Sequence, residues 1–461
     1  MLFNTPVFLL FFLLVVPLSF LVPARWQNFV LLAASYVFYG FSDPKLILLL
    51  LGVTAAAYLS ALGISRRPEL RKLWKAFGIL APLLLLFNFK YLGFIARLVS
   101  SLTGGTAPDL IRDLVLPTGI SFYTFQALSY VIDTDRGEIR AEKNPLHLAL
   151  YLSFFPQLVA GPIERAKDLL PQIRKPRAFD PELAVQGLRA MLLGFFEKIA
   201  VADILGIFVN RVWADLSAAS GADVLLASFF FSLQILFDFK GYSDIARGAA
   251  GVLGIRLSVN FDRPYFSSSV GEFWRRWHIT FSSWLRDYLY IPLGGSRGGF
   301  LRRSRNLLIV FFVSGLWHGA DLTFVAWGLL HALFQIAERL LFRGKEENSL
   351  IRRPLTFLAV NFAWVLFRAP DFSLAGIFFR RLFTGWQQLS LSASGTELLL
   401  FALSLLGSAA LFILPKYLSG GGKAKKILRY SAFTLALWLT AAAYLYLRSG
   451  GILSSFIYFQ F

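Results

Sequence analysis

The chain alternates long apolar runs with short charged loops over almost its whole length. The early runs cover residues 3–22, 46–64 and 76–94, and the last covers residues 427–447. About 20 apolar residues suffice for a helix to cross the hydrocarbon of a membrane, whereas a transmembrane barrel would alternate apolar and polar positions. The pattern therefore predicts an all-α fold, a polytopic transmembrane helical bundle of about eleven spans.

Two stretches depart from this pattern. The apolar run 146–159 is short, ends in Ala-Gly-Pro and precedes a basic stretch, so we predict a re-entrant segment; the alternative is a short tilted span. Residues 273–290 place five aromatic side chains on one helical stripe, which predicts a continuous amphipathic helix in the membrane interface. These side chains are Trp274, Trp277, Phe281, Trp284 and Tyr288.

Composition restricts the possible functions. Of the 461 residues, 56% are hydrophobic and 16% are charged, whereas soluble proteins carry roughly 25% charged residues. The formal net charge of +19 comes from basic loops, which favours positive-inside topology and contact with anionic membrane lipids over nucleic acid. Cys is absent and the four His lack the spacing of metal ligands, so no metal site is expected. Without linkers or repeats, we expect a single domain over residues 1–461.

The sequence SGLWHGAD, residues 314–321, places an ionisable side chain between two apolar arms. His318 lies between residues 307–313 and 322–333, which otherwise belong in hydrocarbon. An imidazole without polar partners is costly at that depth, and such residues are candidates for function in a solvated cavity. The alternative is a histidine that donates to a backbone carbonyl and merely joins two helices.

The residue types around His318 favour general-base chemistry. Asp321 follows three residues later, so on a continuous helix its carboxylate would share a face with the imidazole and raise its basicity. The chain has no Gly-x-Ser-x-Gly elbow of a serine hydrolase. A histidine in a membrane tunnel could instead deprotonate a hydroxyl group whose oxygen attacks an acyl thioester.

Further candidates lie between residues 270 and 305. His278 borders the aromatic stripe and is expected to face the protein interior. A Gly-rich loop at 294–299, followed by Arg302, Arg303 and Arg305, offers backbone N–H groups and guanidinium groups to phosphate, although a flexible loop explains the same residues. The candidate donor-binding residues are Arg275, Arg276, Arg286 and Arg297, and the alternative is that such arginines anchor the protein to lipid phosphates.

Five sequence blocks in a fixed order carry a resemblance to a known family. They are SFYTFQALSYVIDTDRG, FPQLVAGPIER, FDFKGYSDIARG, NFDRPYFSSSVGEFWRRWHITFSSWLRDYLYIPLGG and RNLLIVFFVSGLWHGADLTFVAWGLLH. The chain resembles the membrane-bound O-acyltransferase family, and within it the bacterial branch that O-acetylates exported polysaccharides such as alginate. The resemblance covers nearly the full length, including the terminal FIYFQF, with the core of the domain at roughly 114–342.

The resemblance implies a site and a reaction. His318 matches the essential histidine of the family and His278 the second histidine, with Trp317 and Asp321 in support. A central tunnel would bring an acyl donor from the cytoplasm to an acceptor from outside. The expected donor is acetyl-CoA, with no bound cofactor. The expected partners are periplasmic acetyltransferase proteins and an exported polysaccharide, at the inner membrane of a bacterium.

Two residues depart from the family pattern, and two other functions stay open. Lys240 stands in FDFKGYSD where a small polar residue is usual, and Asp321 stands where Asn is common after WHGA.

One alternative is D-alanyl transfer from a carrier-protein thioester to teichoic acid. The other, from a different class, is a transporter or lipid flippase whose intramembrane polar residues bind cargo. The lack of repeat symmetry between the chain halves argues against a transporter.

Overall fold

The computed structural model describes residues 1–41, 43–104, 117–342, 350–387, 391–418, 423–449 and 457. Within these ranges every regular element is helical and no strand occurs, which confirms the all-α prediction. Two parts of the predictions fall outside the described residues. They are residues 114–116, at the start of the predicted core, and the terminal FIYFQF apart from Ile457.

The described residues form twenty α-helices. In chain order they are α1 (Pro6–Leu21), α2 (Ala24–Gly40), α3 (Leu46–Arg66), α4 (Arg71–Lys90), α5 (Leu92–Thr103), α6 (Ile120–Arg136), α7 (Pro145–Ser153), α8 (Phe155–Leu158), α9 (Ala166–Arg174), α10 (Pro181–Phe195), α11 (Ile204–Ala214), α12 (Gly221–Val252), α13 (Val270–Arg276), α14 (Ile279–Leu285), α15 (Gly299–His318), α16 (Leu322–Leu341), α17 (Arg352–Arg368), α18 (Phe372–Thr384), α19 (Gly395–Leu418) and α20 (Lys423–Ser449). Two π-helical segments, Phe196–Asp203 and Arg286–Tyr290, follow α10 and α14 without a break.

Several helices have the length and apolar composition of membrane spans. Among the described residues, 3 helices qualify alone, namely α3, α12 and α16. A fourth span results if Pro68–Lys90 and Leu92–Ser100, which meet at a bend of 49°, count as one. These helices indicate a membrane protein, but the predicted count of about eleven spans is not confirmed.

The chain divides into two compact units. Unit 1 comprises Met1–Leu188, Ala246–Asn260 and His278–Gly295. Its interior contains tyrosines whose hydroxyl groups are hydrogen-bonded to the backbone, as buried phenols require. The Tyr130 hydroxyl accepts from the Glu142 amide at 2.8 Å, and the Tyr151 hydroxyl donates to the Glu164 carbonyl at 2.9 Å.

The segment predicted to be re-entrant forms two short helices in unit 1. α7 begins at Pro145, where the Asn144 side chain accepts from the Leu146 amide at 3.0 Å, and it ends before Phe154, whose backbone is no longer helical. Pro156 lies in the first turn of α8, where proline is tolerated because no helical N–H bond is required there. At nine residues, α7 rises only about 14 Å, less than half of a hydrocarbon thickness of about 30 Å. α7 alone is therefore too short to cross the hydrocarbon, and the re-entrant path stays a prediction.

Unit 2 comprises Arg189–Ile245, Phe261–Trp277 and Ser296–Phe461. Its interior centres on three fully buried tryptophans, Trp277, Trp327 and Trp364. The indole of Trp364 lies 5.6 Å from that of Trp327, nearly parallel to it, and 5.0 Å from that of Trp277. Burying side chains of this size makes a dense and rigid interior.

The prediction of one continuous amphipathic helix over residues 273–290 is wrong. α13 ends at Arg276, and His278 then adopts a left-handed backbone conformation with φ of 42° before α14 begins. A positive φ is unfavourable for a histidine and interrupts the helical hydrogen bonds. The aromatic residues of the expected stripe therefore do not share one helix, although Trp274, Trp277, Phe281 and Trp284 are all buried.

Candidate active site

α15 and α16 form a tightly packed hairpin within unit 2. A Cβ atom added to Gly315 would lie 2.3 Å from the carbonyl oxygen of Phe324, and one added to Gly328 would lie 2.2 Å from that of Phe311. Real Cβ contacts essentially never fall below 3.0 Å. Glycine at these two positions is therefore what allows the two backbones to approach so closely.

His318 is the last residue of α15 and lies at the turn of this hairpin. The helix ends because Gly319 is extended, with its amide donating to the Gly315 carbonyl at 3.2 Å. Asp321 is also extended and caps α16, where its side chain accepts from the Thr323 amide at 3.5 Å. The expectation that His318 and Asp321 share a face of one helix is thus wrong, because the chain leaves the helix between them.

The imidazole of His318 is enclosed by aromatic rings. Its centroid lies 4.9 Å from those of Trp317 and Trp327 and 5.5 Å from that of Phe367, each at a steep angle. Only 4% of His318 is exposed, and Trp317 is buried beside it. The structure thus brings the predicted residues His318 and Trp317 together. Little of the ring is therefore in contact with solvent in this structure.

A second buried histidine in unit 2 was overlooked by the sequence reasoning. His331 on α16 is fully buried and its ring lies 5.1 Å from Trp327, so one indole contacts both His318 and His331. The Trp274 indole N–H donates to Nδ1 of His331 at 3.3 Å. Nδ1 therefore accepts, and in the neutral ring the proton resides on Nε2. A histidine within an apolar run was the available signal.

Unit 2 also contains a buried network of ion pairs. Lys198 is fully buried with its Nζ 2.7 Å from carboxylate oxygens of both Asp203 and Asp238, while Lys240 pairs with Glu197 and Asp244. The residues lie on α12 and on the π-helical segment Phe196–Asp203. Such segments frequently mark functional sites. The sequence signal for this network was the presence of charged residues inside the apolar runs 183–209 and 224–239. The network also supplies the two ionic partners of Lys240.

His278 belongs to unit 1, where it is fully buried. Its ring packs on Phe281 at 5.0 Å and on Phe122 at 6.3 Å. Burial in these surroundings lowers the pKa of His278 to about 3, because the charged imidazolium is poorly solvated there. The ring is therefore neutral at physiological pH.

The four arginines predicted to bind the donor lie in different settings. Arg275 lines a cavity of about 780 Å³ in unit 2. Arg276 pairs with Glu272 at 2.7 Å, Arg286 pairs with Asp287 at 2.7 Å in unit 1, and Arg297 is exposed. Arg303, which follows the Gly-rich loop considered above for phosphate, also lines the cavity; Arg339 and Arg352, which line it too, were not predicted. No group of three or more potential metal ligands occurs in the part of the chain that the structure describes.

Comparison with known proteins shows which class this fold and site belong to. A family model described as MBOAT, membrane-bound O-acyltransferase family, matches residues 36–379. This match covers well over half of the chain, and the chain therefore belongs to the membrane-bound O-acyltransferase family. It is an O-acyltransferase, and the resemblance inferred from the five sequence blocks is confirmed.

Individual relatives extend this result. A protein of Pseudomonas syringae pv. tomato named "Probable alginate O-acetylase AlgI" is 38% identical over 399 residues, 84% of this chain and 76% of the relative. A peptidoglycan O-acetyltransferase of Helicobacter pylori is 34% identical over 418 residues, 81% of this chain and 78% of the relative. A teichoic acid D-alanyltransferase of Bacillus subtilis is 25% identical over 284 residues, 57% of this chain and 71% of the relative.

Proposed function

We propose that the protein moves an acetyl group from acetyl-CoA toward an exported polysaccharide such as alginate, with His318 as the general base. Two relatives, named for acetylation of alginate and of peptidoglycan, support an acetyl group and a glycan acceptor. The single observation that carries the role of His318 is its position. It is an ionisable ring held at the turn of a glycine-packed hairpin inside an apolar protein.

The proposed step needs no covalent intermediate on the chain. The unprotonated ring nitrogen of His318 takes the proton of the acceptor hydroxyl while the hydroxyl oxygen attacks the thioester carbonyl carbon. The C–S bond then breaks, and the departing thiolate of coenzyme A takes a proton from the imidazolium. The balanced products are the acetyl ester and free coenzyme A.

Other residues act on this step indirectly. Trp317, whose ring lies edge-on to His318, holds the orientation of the imidazole. Asp321 fixes the hairpin turn by capping α16 rather than by contacting the ring as a helical neighbour. We assign His278 a helper role in positioning donor or acceptor, as a neutral ring.

A histidine substitution tests the assignment of His318. We expect His318→Ala to fold and insert normally but to lose transfer by about 100- to 10,000-fold, the usual contribution of a general base. His147→Ala is the matched control, because His147 is the partly exposed histidine on α7. Purified protein in liposomes would receive acetyl-CoA labelled in the acetyl group, and both labelled glycan and free coenzyme A would be measured. Wild-type amounts of both products from His318→Ala would refute the assignment.

The same assay also distinguishes the acyl donor and the route by which the acetyl group reaches the glycan. D-alanyl transfer would require a carrier-protein thioester and give no coenzyme A, and the relative named for that activity is less similar to this chain. The proposed route places the protein in the bacterial inner membrane, with acetyl-CoA on the cytoplasmic side. Acetyl passes to the glycan directly or through a periplasmic acetyltransferase protein. Omitting that protein from the assay abolishes glycan labelling only if the transfer is a relay.

A further inference from the structure

The hairpin of α15 and α16 has a cavity at the end remote from His318. The cavity of about 780 Å³ lies wholly within unit 2 and is lined by the start of α15, the end of α16, the start of α13 and the start of α17. Arg303 lines it and precedes His318 by 15 residues of the same helix, a rise of about 22 Å. This cavity is therefore separate from the ring proposed for catalysis.

The lining of the cavity is strongly positive. It contains four arginines, Arg275, Arg303, Arg339 and Arg352, against one acid, Glu338. The Glu338 carboxylate accepts from the Val270 amide at 2.7 and 3.0 Å, which directs it toward the N-terminus of α13. A formal lining charge of +3 remains, and guanidinium groups bind phosphate through paired N–H donors.

Arg303 has donor capacity to spare. One terminal nitrogen of Arg303 donates to the Ser296 carbonyl at 3.3 Å. Its Nε is buried and has no hydrogen-bond partner among the described residues. A buried donor without an acceptor is costly, and an oxygen-rich anion in the cavity would remove that cost.

The surroundings of the arginines are apolar and exposed. Leu341 is 72% exposed and Leu355 is 54% exposed, and both line the cavity. The Arg352 guanidinium lies 4.4 Å from the ring centroid of Phe342, another lining residue. α16 qualifies as a membrane span, so its end with Leu341 is expected at the level of the lipid headgroups. The ligand that fits combines an anionic phosphate with hydrocarbon chains.

We propose that this cavity binds the headgroup phosphate of an anionic phospholipid, whose acyl chains lie along Leu341 and Leu355. Basic pockets between membrane helices are known to bind such headgroups. A free phosphate-bearing molecule, including the donor itself, would use the arginines equally well. Such a molecule has no long hydrocarbon chains to lie along the exposed apolar rim, and for this reason we commit to the lipid.

The test compares two membranes and three proteins. Wild type, the double variant Arg303→Gln/Arg352→Gln and the control Arg380→Gln would be placed in nanodiscs of phosphatidylcholine with or without phosphatidylglycerol. Arg380 is an exposed arginine of α18 outside the cavity, so its loss removes charge without touching the lining. Co-purified phosphatidylglycerol and the unfolding temperature would be measured, with the phosphatidylcholine nanodiscs correcting for any general loss of stability.

The proposal makes a differential prediction. Phosphatidylglycerol should be retained by wild type and by Arg380→Gln, with affinity at least tenfold higher than in the double variant, and should raise the unfolding temperature of the first two only. Equal retention by the double variant would overturn the proposal. So would a double variant whose KM for acetyl-CoA rises while lipid retention is unchanged, since the cavity would then serve the donor. Lipid retention and the unfolding temperature do not require turnover, so these two readouts do not depend on the role of His318.

Discussion

The approach of α15 to α16 gives the sharpest test of how the hairpin supports His318. A Cβ at position 315 would lie 2.3 Å from the Phe324 carbonyl oxygen, whereas ordinary contact begins at 3.4 Å. The obstacle is backbone, which cannot rotate away as a side chain can. Gly315→Ala should therefore separate the two helices by about 1 Å at this level.

The magnitude follows from this displacement. Overpacking of this size costs about 1–3 kcal/mol of unfolding free energy. His318 is less than one helical turn away, and a misplacement of about 1 Å at a reacting group can lower a rate about 100-fold. We expect Gly315→Ala to show both losses.

Two glycines provide matched controls. Gly376 in α18 and Gly52 in α3 have nothing within 4 Å of an added Cβ. Alanine there should stabilise the helix by about 0.5–1 kcal/mol and leave activity unchanged. Release of coenzyme A from acetyl-CoA and thermal unfolding in detergent would be measured for all three variants. A Gly315→Ala protein that matched Gly376→Ala in both assays would refute the reasoning.

Two further predictions concern buried ionisable groups. Lys198→Met leaves Asp203 and Asp238 without the cation that lies 2.7 Å from each. The unfolding free energy should therefore fall by about 3–5 kcal/mol. Lys198→Arg keeps the positive charge, and an equal loss of stability in both variants would argue against the electrostatic cause. The pKa of His278 is lowered from 6.5 to about 3 in the folded protein, so between these values the unfolded chain binds more protons and stability falls as pH falls. Asparagine tolerates the left-handed backbone conformation, so His278→Asn should remove roughly 2–3 kcal/mol of the stability difference between pH 7.5 and pH 4.5. If the unfolding temperature of this variant depends on pH as strongly as that of wild type, the prediction is wrong.

The sequence predicts the class of fold and the position of His318 because both depend on local pattern. Apolar runs fix helices, and an ionisable residue between two such runs stands out. The hairpin turn was also predictable in principle, since Gly319 and Asp321 are ordinary helix stop and start signals. Treating His318 and Asp321 as helical neighbours overlooked those signals.

Other features have no local signature. The break at His278 depends on a positive φ, which residues other than glycine adopt only uncommonly. The aromatic periodicity from Trp274 to Trp284 continues through it unchanged. The arginine-lined cavity draws its residues from four separate segments. Of its four arginines, Arg275 and Arg303 belong to stretches singled out from the sequence. Arg339 and Arg352 do not, because nothing in the sequence relates the end of α16 or the start of α17 to those stretches.

The chemically important side chains lie where regular helix is interrupted, and one physical reason accounts for this. In an apolar bundle a continuous helix satisfies its own backbone groups and presents side chains only at fixed angles. His318 lies at a helix end, His278 at a left-handed residue and Lys198 in a π-helical segment. Each interruption turns a polar side chain toward protein rather than lipid. Each also loses regular backbone hydrogen bonds, and the surrounding structure must offset that cost. Restoring regular helix at these places should therefore reduce activity as well as change stability.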